Sequence, residues 1–270
     1  MTPAIEQAWE RFSACLDELM SDVPLLSANL SSDVAAVCLG PAGEMGPIAR
    51  RMLAACLPHA SDGRFITAMA AVAGSVAEEL IAFFDRPGIT RAWVNNGGDI
   101  ALHLAPGSSV TVGTVADLSL AYAGHAPPGR FTIDASSPVR GIATSGWRGR
   151  SFSLGIADAA TVLARTASVA DAAATVIGNA VDVDAPGIVR RPASDIRDDS
   201  DLGSIPVTVA VPTLSVREVD FALDAGARQA EHEIAAGRIV AAILQLQGRV
   251  RVCGNIAVSH PALAAPVEAR

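Results

Sequence analysis

The stretch Arg91–Leu104, RAWVNNGGDIALHL, sets the pattern for the middle of the chain. Its two ends, Arg91–Val94 and Ile100–Leu104, are short apolar runs that predict two strands, joined through Asn95-Asn96-Gly97-Gly98-Asp99. Two glycines leave backbone N–H groups free to approach a ligand closely, which is a common way to hold a phosphate or the edge of a ring. A plain hairpin turn with Asn and Gly at positive φ explains the same residues equally well.

Further elements surround this stretch. Val110–Val115 predicts a third strand, and Gly141–Ser145 predicts a strand that ends in a turn. Apolar residues at helical spacing predict amphipathic helices over Pro3–Met20 and Val216–Ala236. This order of elements alone fits an α+β fold and an α/β fold nearly equally well.

The length and composition fit a chain that folds as one domain over residues 1–270. Half of the residues are hydrophobic and 18% are charged, so a chain of 270 residues can bury a sizeable core without disulfides or a structural metal. One segment, Asp182–Leu202, holds prolines, Gly187 and a run of aspartates and shows no apolar period. We expect residues 182–202 to be a mobile loop or linker within the domain.

Charge and lysine content exclude several functions. The formal net charge is −8, which disfavours a nucleic acid or an anionic membrane as partner and favours a small-molecule ligand. The sequence contains no lysine, so it cannot form a Schiff base, anchor pyridoxal phosphate or build a Walker-type phosphate site. The N-terminal segment carries charges through its apolar positions, and no apolar run reaches the roughly 18 residues of a membrane span. We therefore expect a cytoplasmic protein.

Cysteines and histidines show no metal-binding spacing. The four cysteines are far apart and are predicted to be buried thiols, and none of the five histidines belongs to an HExxH or HxH pattern. We expect the histidines at the surface. His125 is the best candidate for a functional role, because it lies in a Gly/Pro-rich excursion near the proposed site.

Asp171 and Thr175 are candidate ligands for Mg²⁺. They are four residues apart in a predicted helix over Val169–Val181 capped by Ser168, so their side chains share one face. A carboxylate and a hydroxyl suit Mg²⁺, which completes its octahedron with water and substrate phosphate. Alternatively, Asp171 favours the helix dipole and Thr175 packs inward.

Thr144, Ser145 and Gly146 end the stretch GIATSG, residues 141–146. They could present hydroxyls and N–H groups to an anion, or form an ordinary strand end. The stretch is not a GxSxG nucleophile elbow, because Ala143 stands where that motif has glycine.

Four motifs in this order resemble the ApbE superfamily: a small-residue helix, then VNNGGDI, GIATSG and ADAAAT. The best-known members are FAD:protein FMN transferases, and the chain is more similar to a shorter, uncharacterised ApbE-like branch. The resemblance runs from about Thr67 to Asn179. It implies an α+β fold, with helices on mixed or antiparallel sheets, and Mg²⁺ with FAD or FMN as cofactors.

The resemblance also implies site residues. Asp171 and Thr175 would bind the metal with a backbone carbonyl near Ala73, while Asn96–Asp99 and Thr144–Gly146 would line the dinucleotide. Two features depart from the transferases: Gly74 stands where their AxAKG motif has lysine, and residues 148–157 lack their histidine and Asp-Pro.

Three functions remain open at this point. The first is a Mg²⁺-dependent enzyme acting on a flavin nucleotide or a related phosphorylated or planar heterocyclic compound, without protein flavinylation. The second is a non-catalytic flavin- or nucleotide-binding protein. The third is a metal-free hydrolase of a small heterocycle that uses Ser145 or Asp99, and in all three a homodimer is possible.

Overall fold

The computed structural model describes residues 3–30, 45–114, 129–198 and 200–259. Within them, none of the helices combines the length and apolar character needed to cross a membrane. The helices are α1 (Pro3–Leu26), α2 (Pro47–Ser61), α3 (Val72–Ile81), α4 (Ala167–Ala180) and α5 (Val216–Ala235). Short 3₁₀ turns cover Ala68–Ala71, Ala82–Phe84 and Ala193–Asp195.

Strands fill most of the region between α3 and α4 and return at both sides of α5. They are β1 (Arg91–Asn96), β2 (Asp99–Leu104), β3 (Ser109–Thr114), β4 (Gly129–Asp134), β5 (Gly141–Ser145), β6 (Ala159–Ala164), β7 (Val189–Pro192), β8 (Pro206–Ala210), β9 (Ile239–Leu246), β10 (Arg249–Gly254) and β11 (Val258–Ser259).

A six-stranded sheet, in the order β1-β2-β5-β6-β9-β10, is the centre of the fold. Every neighbouring pair in it is antiparallel. Strands β11, β4 and β3 form a second sheet, and β7 pairs with β8. The α+β prediction with antiparallel sheets is therefore confirmed, and an α/β fold is excluded because an α/β sheet is mainly parallel.

The central sheet is covered on both faces, as alternation along its inner strands shows. On β6, Val162 joins the core made with α4 and α5, whereas its neighbour Leu163 joins Phe131 and Ile133 of the smaller sheet. Successive side chains of a strand point to opposite faces, so helices pack on one face and the three-stranded sheet on the other. This explains why every residue of β6 is buried.

A second core cluster lies between α1, α2, α3 and α4. Arg11 of α1 donates to Glu79 of α3 (2.7 Å), and Arg51 of α2 donates to the same carboxylate (3.1 Å). Glu78 beside it accepts from the Ser168 N–H and hydroxyl at the start of α4 (3.1 and 2.7 Å). The start of α4 differs from the prediction made from the sequence: Thr166 is its N-cap, and Ser168 lies in its first turn.

The segment 182–202 contains more regular structure than its composition predicts. β7 and a 3₁₀ turn lie within it, and β7 pairs with β8 at a register shift between Val189 and Arg190. The Thr208 N–H of β8 donates to the Ser153 carbonyl (2.8 Å), and Arg190 donates to the Leu154 carbonyl (3.3 Å). These backbone-directed bonds fix the β7–β8 hairpin to the loop between β5 and β6.

The expectation that all histidines lie at the surface is wrong for His59, which is 1% exposed. Its Nδ1 lies 3.4 Å from the carboxylate of Glu233, which is fully buried. Glu233 also accepts hydrogen bonds from Gln229 (2.7 Å) and Arg238 (2.5 Å). Burial of this carboxylate is compensated by its partners, which hold α2 against the end of α5. Cys15, Cys56 and Cys253 are buried free thiols, as predicted, and Cys38 lies outside the described residues.

Replacement of Glu233 by Gln is expected to destabilise the fold by about 1.5–3 kcal/mol at neutral pH, because a charged acceptor is lost. Burial raises the pKa of Glu233, but the contacts with His59 and Arg238 lower it overall, from 4.5 to about 2. A lowered native pKa gives stability that is present above 4.5 and lost as the pH falls towards 2.

Urea unfolding at several pH values measures this effect. Between pH 5 and pH 3, the free energy of unfolding should fall more in the wild type than in Glu233→Gln. In this range the Glu233 carboxyl takes up a proton in the unfolded chain before it does so in the native protein. Glu231→Gln, at an exposed position of the same helix, is the control. Parallel profiles for the wild type and Glu233→Gln would contradict the assignment.

Candidate functional site

The NNGGD stretch is a two-residue hairpin turn at one edge of the central sheet. Asn96 ends β1 and pairs with Asp99, which begins β2. Gly97 and Gly98 between them have φ values of 73° and 116°, a region that glycine enters at no steric cost. The Gly98 N–H donates to the Asn95 side chain (2.9 Å). The hairpin interpretation is therefore correct, and the turn lines a cavity as well.

The end of β5 meets this turn because β2 and β5 are antiparallel neighbours. The Thr144 N–H donates to the carboxylate of Asp99 (3.3 Å), and the Thr144 hydroxyl lies 2.9 Å from that of Thr161 on β6. Ser145 and Gly146 follow at the same edge. Strand pairing thus brings GIATSG and NNGGD together, although about 45 residues separate them along the chain.

Asp171 reaches the same place from α4. The Gly74 N–H of α3 donates to its Oδ2 (2.8 Å), and the carbonyl of the preceding Ala73 accepts from the Asn96 side chain (3.2 Å). Gly74 permits this approach: a Cβ at this position would lie 2.3 Å from the Ala167 carbonyl oxygen. The contact of α3 with α4 therefore needs glycine at position 74.

Asp99 and Asp171 are two half-buried carboxylates whose charges interact. Burial raises the pKa of Asp99 to about 7, against a hydrogen bond from the Thr144 N–H that lowers it. Burial raises the pKa of Asp171 well above the usual range of a carboxyl, and the negative charge of Asp99 raises it further. Two interacting carboxylates that are partly removed from water favour the binding of a proton or a cation.

One cavity of about 900 Å³ connects these groups. Thr175 lines it one turn after Asp171, and Ala73 lines it from α3. The predicted ligand loops contribute Asn95, Gly97, Gly98 and Asp99 on one side and Thr144, Ser145 and Gly146 on the other. Asn96 is the exception, because its side chain is used to hold Ala73.

Two of the three predicted catalytic residues, Asp99 and Ser145, lie among the described residues. His125 lies outside the described residues. Ser145 lines the cavity, and no histidine is among the described lining residues, so none of the described histidines serves as a general base for its hydroxyl. Asp99 is the predicted catalytic residue that the cavity holds next to a second ionisable group.

Asn179 is a cavity residue that the sequence reasoning missed. It follows Asp171 and Thr175 at positions i, i+4 and i+8, so one stripe of α4 faces the cavity. Its Oδ1 accepts from the Ser153 hydroxyl (3.2 Å) and the Leu154 N–H (2.9 Å). Asn179 thereby holds the β5–β6 loop, and the helical spacing was the signal that could have revealed it.

Arg148, Arg150 and Phe152 of that loop also line the cavity, as does Arg197 from the segment after β7. These residues carry no motif in the sequence. Their position depends on the docking of the loop and the β7–β8 hairpin, which rests largely on backbone hydrogen bonds and therefore leaves no side-chain pattern.

Gly74→Ala is expected to destabilise the protein by about 1–3 kcal/mol, because the new methyl group must push α3 away from the α4 backbone. Gly97→Ala should cost less, about 1 kcal/mol, since its Cβ would meet nothing nearer than 3.9 Å and only the positive φ is strained. Thermal unfolding of the two variants compares these effects. A larger loss in Gly97→Ala would contradict the role given to the α3–α4 contact.

The family model described as "AbpE bacteria" matches residues 1–252, so the chain belongs to this ApbE-related family. The resemblance to ApbE-like proteins that the order of motifs indicated is thus confirmed at the level of the family. Curated relatives carry the name UPF0280 protein. The chain is 38% identical over 149 residues to the protein from Methanothrix thermoacetophila, covering 54% of this chain and 56% of the relative.

Other archaeal relatives give the same picture. The UPF0280 protein of Archaeoglobus fulgidus is 42% identical over 113 residues, covering 42% of this chain and 43% of the relative. That of Methanococcus aeolicus is 41% identical over 118 residues, with 41% and 44% covered. The chain therefore matches about half the length of these curated relatives.

Proposed function

We propose that the protein is a Mg²⁺-dependent enzyme that acts on a flavin nucleotide or a related phosphorylated, planar heterocyclic compound. The observation that carries this proposal is the pair of half-buried carboxylates, Asp99 and Asp171, which line one cavity of about 900 Å³. Without a cation such a pair is costly, because the two negative charges repel each other where partial burial weakens their hydration.

The donor groups fit Mg²⁺. Asp171 and Asp99 offer carboxylate oxygens, Thr175 offers a hydroxyl, and the Ala73 carbonyl keeps a second lone pair beside its bond from Asn96. All are hard oxygen donors, and few of them are needed because Mg²⁺ keeps waters and substrate oxygens in its shell. When bound, the ion would supply charge neutralisation at a phosphoryl oxygen.

The protein's own residues would orient the substrate. The hairpin turn at Gly97 and Gly98 leaves room above its backbone, since a Cβ on Gly98 would meet nothing within 4 Å. Thr144 holds Asp99 through its N–H, and Asn96 holds Ala73, so the two sides of the site keep a fixed spacing. This arrangement supports binding with the reacting group already positioned.

The size and lining of the cavity support a planar heterocycle. Its volume of about 900 Å³ lies within the range of nucleotide-sized ligand sites, roughly 300–1,000 Å³. Apolar side chains form part of the wall, among them Phe65, Met69, Val72 and Ile142. An apolar wall beside hard oxygen donors suits a ligand with one planar and one charged part.

A non-catalytic binding protein is the second candidate, favoured by the lack of an acid–base residue other than the carboxylates in the described cavity lining. Such a protein would bind the same ligands as the proposed enzyme but would not convert them. A metal-free hydrolase has less support, because Ser145 lacks a base there. Cytoplasmic location and homodimerisation stay predictions.

Asp171→Asn is expected to abolish stabilisation by Mg²⁺ and, at the same time, to stabilise the metal-free protein. The reason is that one of two half-buried carboxylates that repel each other is removed, while an amide oxygen can still accept from the Gly74 N–H. Calorimetry and thermal unfolding with and without Mg²⁺ measure both effects. Asp184→Asn, at an exposed position, is the control. Unchanged Mg²⁺ binding in Asp171→Asn would refute the proposed metal site.

The protein is also expected not to transfer FMN to a protein threonine. Position 74, where the transferases have lysine, has no space for a side chain next to Ala167. Loss of an acid–base group costs about 10²–10⁴-fold in rate. Incubation with FAD, Mg²⁺ and an acceptor peptide, read by mass spectrometry, tests this expectation. A stoichiometric FMN adduct would show that the chain is a transferase after all.

A further inference from the structure

Three arginines line the cavity, and they are held in different ways. Arg148 lies 3.4 Å from the carboxylate of Asp158 and 5.0 Å from the ring centre of Trp147. Its charge is thus partly balanced by the protein itself. The other two, Arg150 and Arg197, are exposed and have no carboxylate within ion-pair distance among the described residues.

Arg150 lies over the glycine turn. Its Nη1 is 3.9 Å from the position that a Cβ on Gly97 would take, so the guanidinium is next to the turn that begins the strand of Asp99. Arg197 comes from the segment after β7, and its guanidinium lies 5.1 Å from the ring centre of Phe152, two residues after Arg150. The ring contact keeps Arg197 against the loop that carries Arg150.

The backbone that follows Arg150 is anchored. Asn179 binds Ser153 and Leu154 in the loop, and the Thr208 N–H binds the Ser153 carbonyl from the β7–β8 hairpin. Gly155 packs so tightly that a Cβ would lie 2.3 Å from the Gly178 carbonyl oxygen. Arg150 is therefore attached to a fixed part of the cavity wall.

The charged side chains of the cavity limit the ligands that fit it. The carboxylates of Asp99 and Asp171 attract a cation, whereas Arg150 and Arg197, which have no carboxylate partner among the described residues, attract an anion. Guanidinium groups bind phosphate oxygens in a planar, two-pronged geometry. A ligand that satisfies both parts carries a phosphoryl group that can reach the arginines.

We propose that Arg150 and Arg197 bind a phosphoryl group of the ligand and so select phosphorylated over unphosphorylated heterocycles. This inference rests on the proposed function for the choice of ligand class. It goes further by assigning selectivity to two residues outside the motifs that the chain shares with its family.

Isothermal titration calorimetry of the full chain in the presence of Mg²⁺ tests this assignment. The probes are FMN, riboflavin, which lacks the phosphate, and inorganic pyrophosphate. Arg150→Gln and Arg197→Gln should each weaken FMN binding by about 10-fold to 100-fold and leave riboflavin binding within about twofold. Arg150→Lys should recover part of the loss, because it restores the charge without the planar geometry. Arg217→Gln, an exposed arginine on α5, is the control.

The outcomes separate this inference from the proposed function. Equal binding of FMN and riboflavin by the wild type, or a phosphate preference that survives in both glutamine variants, overturns the inference. Absence of both FMN and pyrophosphate binding also overturns it. If the arginine variants lose the phosphate preference while Asp171→Asn leaves the effect of Mg²⁺ unchanged, the inference holds and the proposed metal chemistry fails.

Discussion

The hydrogen bond from the Gly74 N–H to Asp171 is the contact on which the site depends. It joins the beginnings of two helices whose backbones approach so closely that only glycine fits at position 74. The same contact places Ala73 next to Asn96 and places Asp171 where the charge of Asp99 acts on it. Small residues in α3 and α4 are thus a requirement of the site as much as of the core.

The antiparallel sheet contributes the other half of the site. Because β2 starts and β5 ends at the same edge, Asp99 and Thr144 meet there through one backbone hydrogen bond. Partial burial in the cavity raises the pKa of both Asp99 and Asp171. Fold and chemistry are therefore linked through burial, because the elements that pack around the cavity also raise the pKa of its carboxyl groups.

Features encoded by local chemistry could be predicted from the sequence. The NNGGD turn follows from the positive φ of two glycines, and the common face of Asp171 and Thr175 follows from helical spacing. Features that depend on docking could not be predicted. His59 is buried where it meets Glu233, which comes from a distant helix and is also bound by Arg238. Arg150 and Arg197 line the cavity because backbone groups hold their loops. The order of motifs indicated the family relationship, but no sequence pattern indicated that Arg150 and Arg197 line the cavity.

The wide separation of the site residues along the chain has a consequence for folding. Ala73, Asp99, Thr144 and Asp171 come from α3, β2, β5 and α4, so no short fragment contains the site. An unfolded chain cannot bind a ligand that needs all four, and any ligand must therefore shift the folding equilibrium of the whole sheet-and-helix unit towards the native state. Occupancy of the cavity and integrity of the domain would rise and fall together.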